Sequence, residues 1–287
     1  MNAGAAIALD PFAPAFAFSD ADFERVRSMI HAHAGIALND GKRNMVYSRL
    51  SRRLRELGGS DFRSYLDALA ATPDGHGEWQ HFVNALTTNL TYFYREPHHF
   101  PLLERHLKRA GAAAPQAIWC CAASTGEEPC SLAITAMQAF ASRTPPVTIL
   151  ATDIDTAVLA KARAGVYDAD AAAKLDPALL RPYFLRGQGA NAGMVRVQAD
   201  VAALIEYRPL NLLADRWPMQ AQFDAIFCRN VMIYFDKDTQ LRVLRQLARH
   251  LKPDGLLFAG HSENFGFAAD VLRLRGQTVY ELAGRGR

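Results

Sequence analysis

An α/β fold with a doubly wound, mostly parallel sheet is predicted by the order of elements along this chain of 287 residues. From residue 117 onwards, short apolar runs alternate with helical stretches, and each run ends in polar or small residues. Such alternation is typical of a parallel sheet that helices cover on both faces. Residues 19–85 show only helical periodicity, so we expect an all-helical domain there and an α/β domain at 86–287.

Capping residues and helix-ending glycines define the first predicted helices. Residues 1–18 are apolar but lack a basic start and contain prolines, so we expect a flexible tail and not a signal peptide. Ser19 is the predicted N-cap of the first helix, and Gly35 its stop. The next helix ends at Gly58 and Gly59, and two further helical stretches follow, "DFRSYLDALAATPDG" and "EWQHFVNALTTNL".

Five apolar runs are predicted to form the main sheet, with amphipathic helices between most of them. The runs are "AIWCCAAS", "VTILATDID", "LIEYRPLNL", "FDAIFCRNV" and "GLLFAGHSE"; the helices are "EEPCSLAITAMQAFASR", "DTAVLAKARAGVY" and "DKDTQLRVLRQLARHLKPDG". One segment departs from this alternation. Residues 183–207 carry three glycines between two strand-like arms, which predicts a small antiparallel β insertion with an open edge.

Composition narrows the class of protein. Apolar residues make up 50% of the chain and charged residues 21%, as expected of a globular protein with a sizeable core. The four cysteines include no CxxC pair, so we expect buried thiols and neither disulfides nor a zinc site. No apolar run approaches the roughly 20 residues that span a bilayer. We therefore expect a cytoplasmic protein without membrane insertion.

The turn after the first strand reads "AASTGEEPCSLAI" and opens a helix, which is the usual nucleotide-binding position. Only Gly126 is present where a dinucleotide site has three glycines, and Glu127 and Glu128 would repel a pyrophosphate. A ligand with ribose hydroxyls and cationic groups suits this turn, and S-adenosylmethionine (SAM) is such a ligand. The second strand ends in "ATDID", where Asp153 is placed to accept ribose hydroxyls and Asp155 to cap the next helix.

Several long motifs together resemble one family. "NALTTNLTYFYRE-HHF", "AASTGEEP", "ATDID", "FDAIFCRNVMIYFDK" and "LKPDGLLFAGHSENF" are similar to the CheR-type chemotaxis receptor (protein-glutamate) O-methyltransferases. The resemblance covers residues 20–282. It implies a class I SAM methyltransferase fold, and methyl transfer to glutamate side chains of chemoreceptor cytoplasmic helices. The products would be glutamate methyl esters and S-adenosylhomocysteine (SAH), formed during adaptation in chemotaxis.

The resemblance also implies roles for individual residues. Arg95 and Tyr234 would act at the methyl-transfer site. The positions that match cofactor-binding residues of the family are Asn89, Thr91, Arg95, Glu128, Asp153, Asn211, Leu212, Arg229 and Asn230. The chain departs from the family pattern at Pro97 and has tyrosines at 92 and 94.

The expected chemistry needs placement and no general base. A glutamate is ionised at pH 7, with an unperturbed pKa of about 4.3, so its oxygen is already nucleophilic. Arg95 would orient this carboxylate through one oxygen, and Tyr234 would add a hydrogen bond. We expect no metal, because His98 and His99 are adjacent and the sequence shows no third ligand.

Two further surfaces are candidates for partner binding. On "GKRNMVYSRLSRRLRELGG", a basic face is predicted to dock acidic receptor helices, although a merely solvated face or a nucleic-acid site also fits the pattern. Its residues are Lys42, Arg49, Arg52 and Arg53. The β insertion resembles that of family members that bind a peptide at a receptor's C-terminus, and a plain surface hairpin is the alternative. Its residues are Arg186, Gly187, Gly189, Gly193 and Arg196.

Three other functions compete with this interpretation. An NAD-dependent oxidoreductase is disfavoured by the missing glycines, and a nucleic-acid methyltransferase by "RNVMIYF" where amino-methylating DNA enzymes have an Asn-Pro-Pro-Tyr-like turn. A non-catalytic binding module is disfavoured by Arg95, Asp153 and Tyr234. We expect a monomer that binds no nucleic acid.

Overall fold

The computed structural model describes residues 16–73, 77–111 and 114–284. The chain divides into two compact units, one of residues 1–33 and 38–86 and the other of residues 34–37 and 87–287. The first 15 residues of the predicted tail lie outside the described residues. Phe16 and Phe18 pack against Phe62, with ring centroids 6.2 Å and 4.5 Å apart, respectively.

The first unit is built from four described helices, as predicted. They are α1 (Asp20–Ala34), α2 (Arg43–Leu57), α3 (Phe62–Ala70) and α4 (Gly77–Leu86), with a 3-10 turn at Asp40–Lys42. The hydroxyl of Ser19 accepts the N–H of Asp22 at 3.1 Å, and Gly58 ends α2 in the left-handed conformation at a φ of 65°. Both predicted helix boundaries are therefore confirmed.

The second unit holds a seven-stranded sheet in the order β6-β2-β1-β7-β8-β10-β9. The strands are β1 (Gln116–Cys120), β2 (Val147–Asp153), β6 (Ile205–Pro209), β7 (Phe223–Cys228), β8 (Leu251–Ala259), β9 (Leu272–Gly276) and β10 (Val279–Leu282). The helices are α5 (His99–Ala110), α6 (Glu127–Phe140), α7 (Thr156–Ala164), α8 (Ala169–Ala172), α9 (Pro177–Tyr183), α10 (Ala199–Ala203) and α11 (Lys237–His250). The first five strands of the order are parallel, and the last two are antiparallel additions.

Residues alternate between the two faces of this sheet, which explains the continuous apolar runs. In β1, Ile118 and Cys120 join the core under α5 and α6, whereas Trp119 joins the core under α11. In β7 and β8, Phe227 and Phe258 stack with ring centroids 4.2 Å apart. Because both faces are covered, strand residues need no polar side. The predicted doubly wound α/β fold is confirmed.

A separate three-stranded antiparallel sheet has the order β3-β5-β4. It consists of β3 (Val166–Asp168), β4 (Phe184–Arg186) and β5 (Met194–Val197). The predicted glycine-containing hairpin is β4–β5, and β3 contributes a strand from outside the segment 183–207. The last part of that segment, from residue 205, belongs to the main sheet as β6.

Two expectations drawn from composition concern the cysteines and membrane-spanning segments. All four cysteines are free and buried, as predicted. Among the helices of the described ranges, none combines the length and apolar character that a bilayer crossing requires.

Candidate active site

The candidate active site lies at the carboxyl-terminal ends of five neighbouring parallel strands, which are here called the carboxyl edge of the sheet. These strands end at Pro209, Asp153, Cys120, Cys228 and Ala259, in the order β6-β2-β1-β7-β8. Ligands of open α/β sheets bind beyond this edge. The polar residues that follow each strand therefore come together although they are far apart in the sequence.

The loop between β1 and α6 brings backbone to this edge. Gly126 has a φ of +100°, and a Cβ there would lie 2.7 Å from the Tyr167 hydroxyl and 2.9 Å from the Ala162 Cβ. The Tyr167 hydroxyl also donates to the carbonyl of Thr125 at 3.1 Å. Only glycine fits this position, because both the backbone angle and the close packing exclude a side chain.

Asp153 is the last residue of β2, and its carboxylate lies at the carboxyl edge. One oxygen accepts the backbone N–H of Ser124 at 2.8 Å, and the other accepts that of Asp155 at 2.9 Å. Burial raises the pKa of Asp153 to about 6, although these two hydrogen bonds oppose the rise. Each carboxylate oxygen keeps a lone pair for a further donor. Asp155 caps α7, as predicted, by accepting the N–H groups of Ala157 and Val158.

Residues 87–98, here called the crossing segment, run across the strand ends. Near its start, Thr87 Oγ1 and Asn89 Nδ2 donate to Asp155 Oδ2 at 2.7 Å and 2.8 Å. Near its end, the carbonyl of Arg95 accepts a hydrogen bond from the guanidinium of Arg229, which follows β7. The segment is thus tied to β2 and β7 at once, and it brings Asn89, half-buried Thr91 and Arg95 to the edge.

Arg229 is the most deeply buried charge of the site, with a side chain 1% exposed. Its NH1 lies 2.8 Å from Glu128 Oε2, and its NH2 lies 3.5 Å from Glu96 Oε2. Two carboxylates therefore share one guanidinium, which leaves an excess of negative charge at a buried position. Such a balance suits a cationic ligand.

Glu96 was not predicted as a site residue, yet it connects three parts of the site. Its Oε1 accepts the backbone N–H and the ring Nδ1 of His261, each at 3.0 Å, and Asn230 Nδ2 at 3.4 Å. Burial opposes ionisation, but these hydrogen bonds and the charge of Arg229 lower the pKa of Glu96 to about 2. Glu96 also adopts a φ of +55°, which is uncommon for a residue with a side chain. Its position within the motif "NALTTNLTYFYRE-HHF" was the only sequence signal.

Glu263 shapes the loop that follows β7. Its carboxylate accepts the backbone N–H groups of Asn230, Val231, Met232 and Gly260 at distances of 2.5–3.0 Å. Asn230 takes a φ of +58° within this arrangement. The loop is therefore held by one buried side chain. Glu263 lies in the quoted "GHSENF" motif, but its sequence position did not reveal this role.

The remaining predicted residues also lie at the edge. Arg95 donates from NH1 to the carbonyl of Leu90 at 2.8 Å, and its guanidinium lies 5.9 Å from the centre of the Tyr92 ring. Tyr234 is half-buried in a 3-10 turn at Met232–Tyr234 after β7. After β6, Asn211 accepts the N–H of Leu213 at 2.9 Å and Leu212 is buried.

The two adjacent histidines do have a third candidate ligand close by. Glu96, His98 and His99 bring one ligand atom each to within 4.8 Å of one another. The Glu96 carboxylate, however, already accepts hydrogen bonds from His261 and Asn230, which reduces its capacity to bind a metal. Burial lowers the pKa of His99 to about 4, and its Nε2 faces the carbonyl of Gln277 at 3.0 Å. The absence of a metal stays a prediction.

The basic residues of the first unit differ in availability. Arg53 is 17% exposed and pairs with Glu78 at 2.5 Å, so it joins α2 to α4. Arg49 donates to the carbonyl of Ala85 at 3.2 Å. Arg52 is 81% exposed and pairs only with Glu56 of its own helix among the described ion pairs, and Lys42 is exposed in the 3-10 turn before α2.

In the three-stranded sheet, Arg186 lies on the edge strand β4 and Arg196 on the central strand β5. Arg196 pairs with Leu185, whereas Arg186 pairs with Val195, so the two arginines lie on opposite faces of the sheet. Gly187 is required by packing, since a Cβ there would lie 2.0 Å from the carbonyl oxygen of Asn191. Gly189 and Gly193 have φ values of +57° and +87°.

Comparison with known proteins identifies this arrangement. Residues 89–280 match the family "CheR methyltransferase, SAM binding domain", and residues 21–87 match "CheR methyltransferase, all-alpha domain". The chain belongs to the CheR methyltransferase family. The resemblance inferred from the motifs is therefore confirmed, and the protein is a SAM-dependent methyltransferase of chemotaxis.

Curated relatives match over nearly their full length. A chemotaxis protein methyltransferase of Escherichia coli strain K12 is 51% identical over 267 residues, covering 93% of this chain and 92% of that protein. One from Klebsiella aerogenes is 52% identical over 275 residues, covering 96% and 94%. Chemotaxis protein methyltransferase 2 of Pseudomonas aeruginosa is 51% identical over 272 residues, covering 93% and 95%.

The residues at the strand ends of this CheR methyltransferase fit SAM. Asp153 can accept the ribose hydroxyls, and the negative excess around Arg229 suits a ligand with a sulfonium and an ammonium group. Within the described residues, the buried polar atoms without a hydrogen-bond partner include Arg229 Nε, Glu96 Oε2 and His99 Nδ1, all at this edge. Glu96 Oε2 lies 3.7 Å from His99 Nδ1 and 3.5 Å from Arg229 NH2, so these buried groups face one another.

The raised pKa of Asp153 predicts a pH-dependent affinity for SAH. Above about pH 6 the side chain is a carboxylate that can accept two ribose hydroxyls, and below it a proton occupies one acceptor position. The affinity should therefore fall as the pH drops through about 6, by up to about tenfold per pH unit. Calorimetric titration between pH 5 and 8 measures this dependence. An Asp153→Asn variant should lose this inflection; an identical inflection in that variant would contradict the assignment.

Proposed function

We propose that this protein transfers the methyl group of SAM to glutamate side chains on chemoreceptor cytoplasmic helices. The products are glutamate methyl esters and SAH, the reaction serves adaptation in chemotaxis, and it takes place in the cytoplasm. The observation that carries this proposal is the position of Arg95. Its guanidinium lies on the crossing segment, which is hydrogen-bonded to residues at the ends of both β2 and β7.

Arg95 is suited to hold a substrate carboxylate. The hydrogen bond to the Leu90 carbonyl fixes one end of the guanidinium and uses one of its five N–H groups. Another of its N–H groups can donate to one oxygen of the substrate carboxylate, and a hydrogen bond between two charged partners is strong. Contact with the Tyr92 ring, 5.9 Å away, further orients the group.

The chemistry requires little beyond this placement. SAM supplies a methyl group on a positively charged sulfur, which is a good leaving group. A glutamate oxygen forms a bond to the methyl carbon while the carbon–sulfur bond breaks, and its electron pair stays on sulfur. No proton is transferred, so the protein's task is to hold the oxygen in line with the methyl carbon at roughly 3 Å. Arg95 binds one carboxylate oxygen, and the hydroxyl of Tyr234 donates a further hydrogen bond.

Methylation of receptor glutamates has a direct test. The protein is incubated with labelled SAM and chemoreceptor-containing membranes, and the label should appear on the receptor as a base-labile ester. Base-stable label, or label in nucleic acid, would contradict the proposal. Titration with SAH and with NAD tests the oxidoreductase alternative, since only SAH should bind.

Replacing Arg95 by alanine should separate binding from turnover. SAH affinity should change little, because Asp153 and the ion pairs of Arg229 with Glu96 and Glu128 remain. The rate of receptor methylation should fall by about 100-fold, since the substrate carboxylate loses its orienting cation. Steady-state kinetics with receptor membranes measure the fall. Arg242→Ala, which removes an exposed arginine of α11, is the matched control. An unchanged rate in Arg95→Ala would show that the assigned role is wrong.

We further infer that exposed basic residues of the helical unit bind a receptor helix. Arg52 and Lys42 fit this role best, because Arg53 already forms an ion pair with Glu78. We infer a monomer that acts on receptors directly, without binding nucleic acid.

The β4 edge supports a proposal for receptor-tail binding. A peptide could add to this edge as a further strand, with Arg186 and Arg196 available for acidic groups on either face. Replacing 187–193 by Asn-Gly keeps a hairpin turn but removes the glycine loop. The affinity for a receptor-tail peptide should be lost while SAH affinity is kept, as fluorescence and calorimetry would show. Unchanged peptide affinity would contradict the proposal, and loss of both affinities would indicate misfolding.

A further inference from the structure

A cleft lies on the α/β unit between α5 and the β9–β10 hairpin. Its volume is about 430 Å³, within the usual range of small-molecule clefts. None of the residues assigned above to methyl transfer lines it. The lining residues come from α5, β8, β9, β10 and the hairpin turn; those used below are Leu102, Arg105, His106, Arg109, Leu256, Arg275 and Val279.

Every ionisable side chain that lines this cleft is basic. α5 presents Arg105, His106 and Arg109 on one face, since residues three and four apart are neighbours on a helix. Arg275 approaches from β9, and its Nε lies 3.4 Å from Glu281, which also pairs with Arg273. One shared carboxylate cannot offset three guanidinium groups. Like charges one helical turn apart are destabilising, so an anion bound here would relieve their repulsion.

His106 gives the cleft a fixed geometry. This imidazole is buried, and its Nε2 lies 3.0 Å from the carbonyl oxygen of Asp224, so Nε2 carries the proton and donates. Its Nδ1 is then an acceptor, and it receives a hydrogen bond from Arg109 NH2 at 3.2 Å. Burial lowers the pKa of His106, which keeps the ring in this neutral form. The guanidinium of Arg109 is therefore held in place from beneath by a buried group.

The rest of the cleft is apolar. Leu256 and Val279 are buried in the sheet below it, and half-buried Leu102 lies at its side. We propose that this cleft binds a small phosphate-bearing organic molecule. The phosphate is held by Arg105, Arg109 and Arg275, and the organic part lies on the apolar floor. Arginine forks match phosphate oxygens in geometry, and their binding to phosphate is strong because both partners are charged.

The test uses adenosine 5′-diphosphate as the probe, with adenosine as its counterpart without phosphate. Saturating SAH is present in every titration, so that the nucleoside part of the probe cannot occupy the methyl-transfer site. One equivalent of the diphosphate should bind, more weakly at higher salt, and adenosine should not bind. Arg109→Gln and Arg275→Gln should each weaken the diphosphate by about tenfold or more without changing SAH affinity.

A matched variant separates local contacts from overall charge. Arg245→Gln removes an exposed arginine of α11 that does not line the cleft, and it should leave the diphosphate affinity unchanged. Failure of the diphosphate to bind at millimolar concentration would overturn the proposal. Equal weakening in Arg245→Gln and Arg109→Gln would overturn it as well, because the attraction would then depend on net charge alone.

Discussion

Replacing Arg229 by methionine is expected to lower the free energy of unfolding by about 3–5 kcal/mol. Methionine fills much of the arginine volume but leaves Glu96 and Glu128 buried without their shared cation. Removing one partner of a buried ion pair is costly, because the remaining charge can neither reach water nor find a counter-ion. Urea denaturation, followed by circular dichroism, measures the difference.

Neutralising the partners should reverse part of this loss. Adding Glu128→Gln to Arg229→Met removes one uncompensated charge and should recover stability relative to the single variant. Arg242→Met, at an exposed position on α11, is the matched control and should stay within about 0.5 kcal/mol of the parent protein. A loss below 1 kcal/mol in Arg229→Met would show that the guanidinium is not needed to compensate the two carboxylates.

Replacing Asp153 by alanine is expected to weaken SAH binding by about 100-fold or more. Each hydrogen bond to a charged group contributes about 1.5–3 kcal/mol, and the carboxylate is placed to accept two ribose hydroxyls. Burial strengthens the effect, because water is poorly placed to replace a lost acceptor at a position only 8% exposed. Calorimetric titration with SAH measures the loss.

The alanine variant has a structural cost that needs its own control. The N–H groups of Ser124 and Asp155 lose their acceptor, which should destabilise the fold by about 1–3 kcal/mol. Thermal unfolding confirms that the variant is folded at the titration temperature, and Asp215→Ala, at an exposed position after β6, should bind SAH normally. SAH affinity within threefold of the parent protein would contradict the ribose-binding role of Asp153.

Much of the architecture follows from local sequence. The apolar runs of the parallel strands were readable because both faces of the sheet are covered, and in β2 and β7 a charged residue, Asp153 or Arg229, marked the end of the run. Asp153 lay at such an end and is found there. Ser19 and Gly58 marked helix boundaries because capping chemistry acts over a few residues.

What escaped prediction depends on pairing between distant residues. Glu96 meets His261 across 165 positions of the chain, and no local pattern records such a partner. Helical periodicity placed Arg53 on the basic face of α2, but Glu78 on another helix pairs with it. The strand β3 is three residues long, too short to show alternation, so the third strand of the small sheet was missed.

Before any ligand arrives, Glu263 accepts three backbone N–H groups of the turn that presents Arg229 and Asn230, and a fourth from Gly260 after β8. SAM therefore meets a turn that is already ordered, and its binding should cost little conformational entropy in that turn. Association should then proceed in a single kinetic step at a rate set by diffusion and access, without a slow ordering phase.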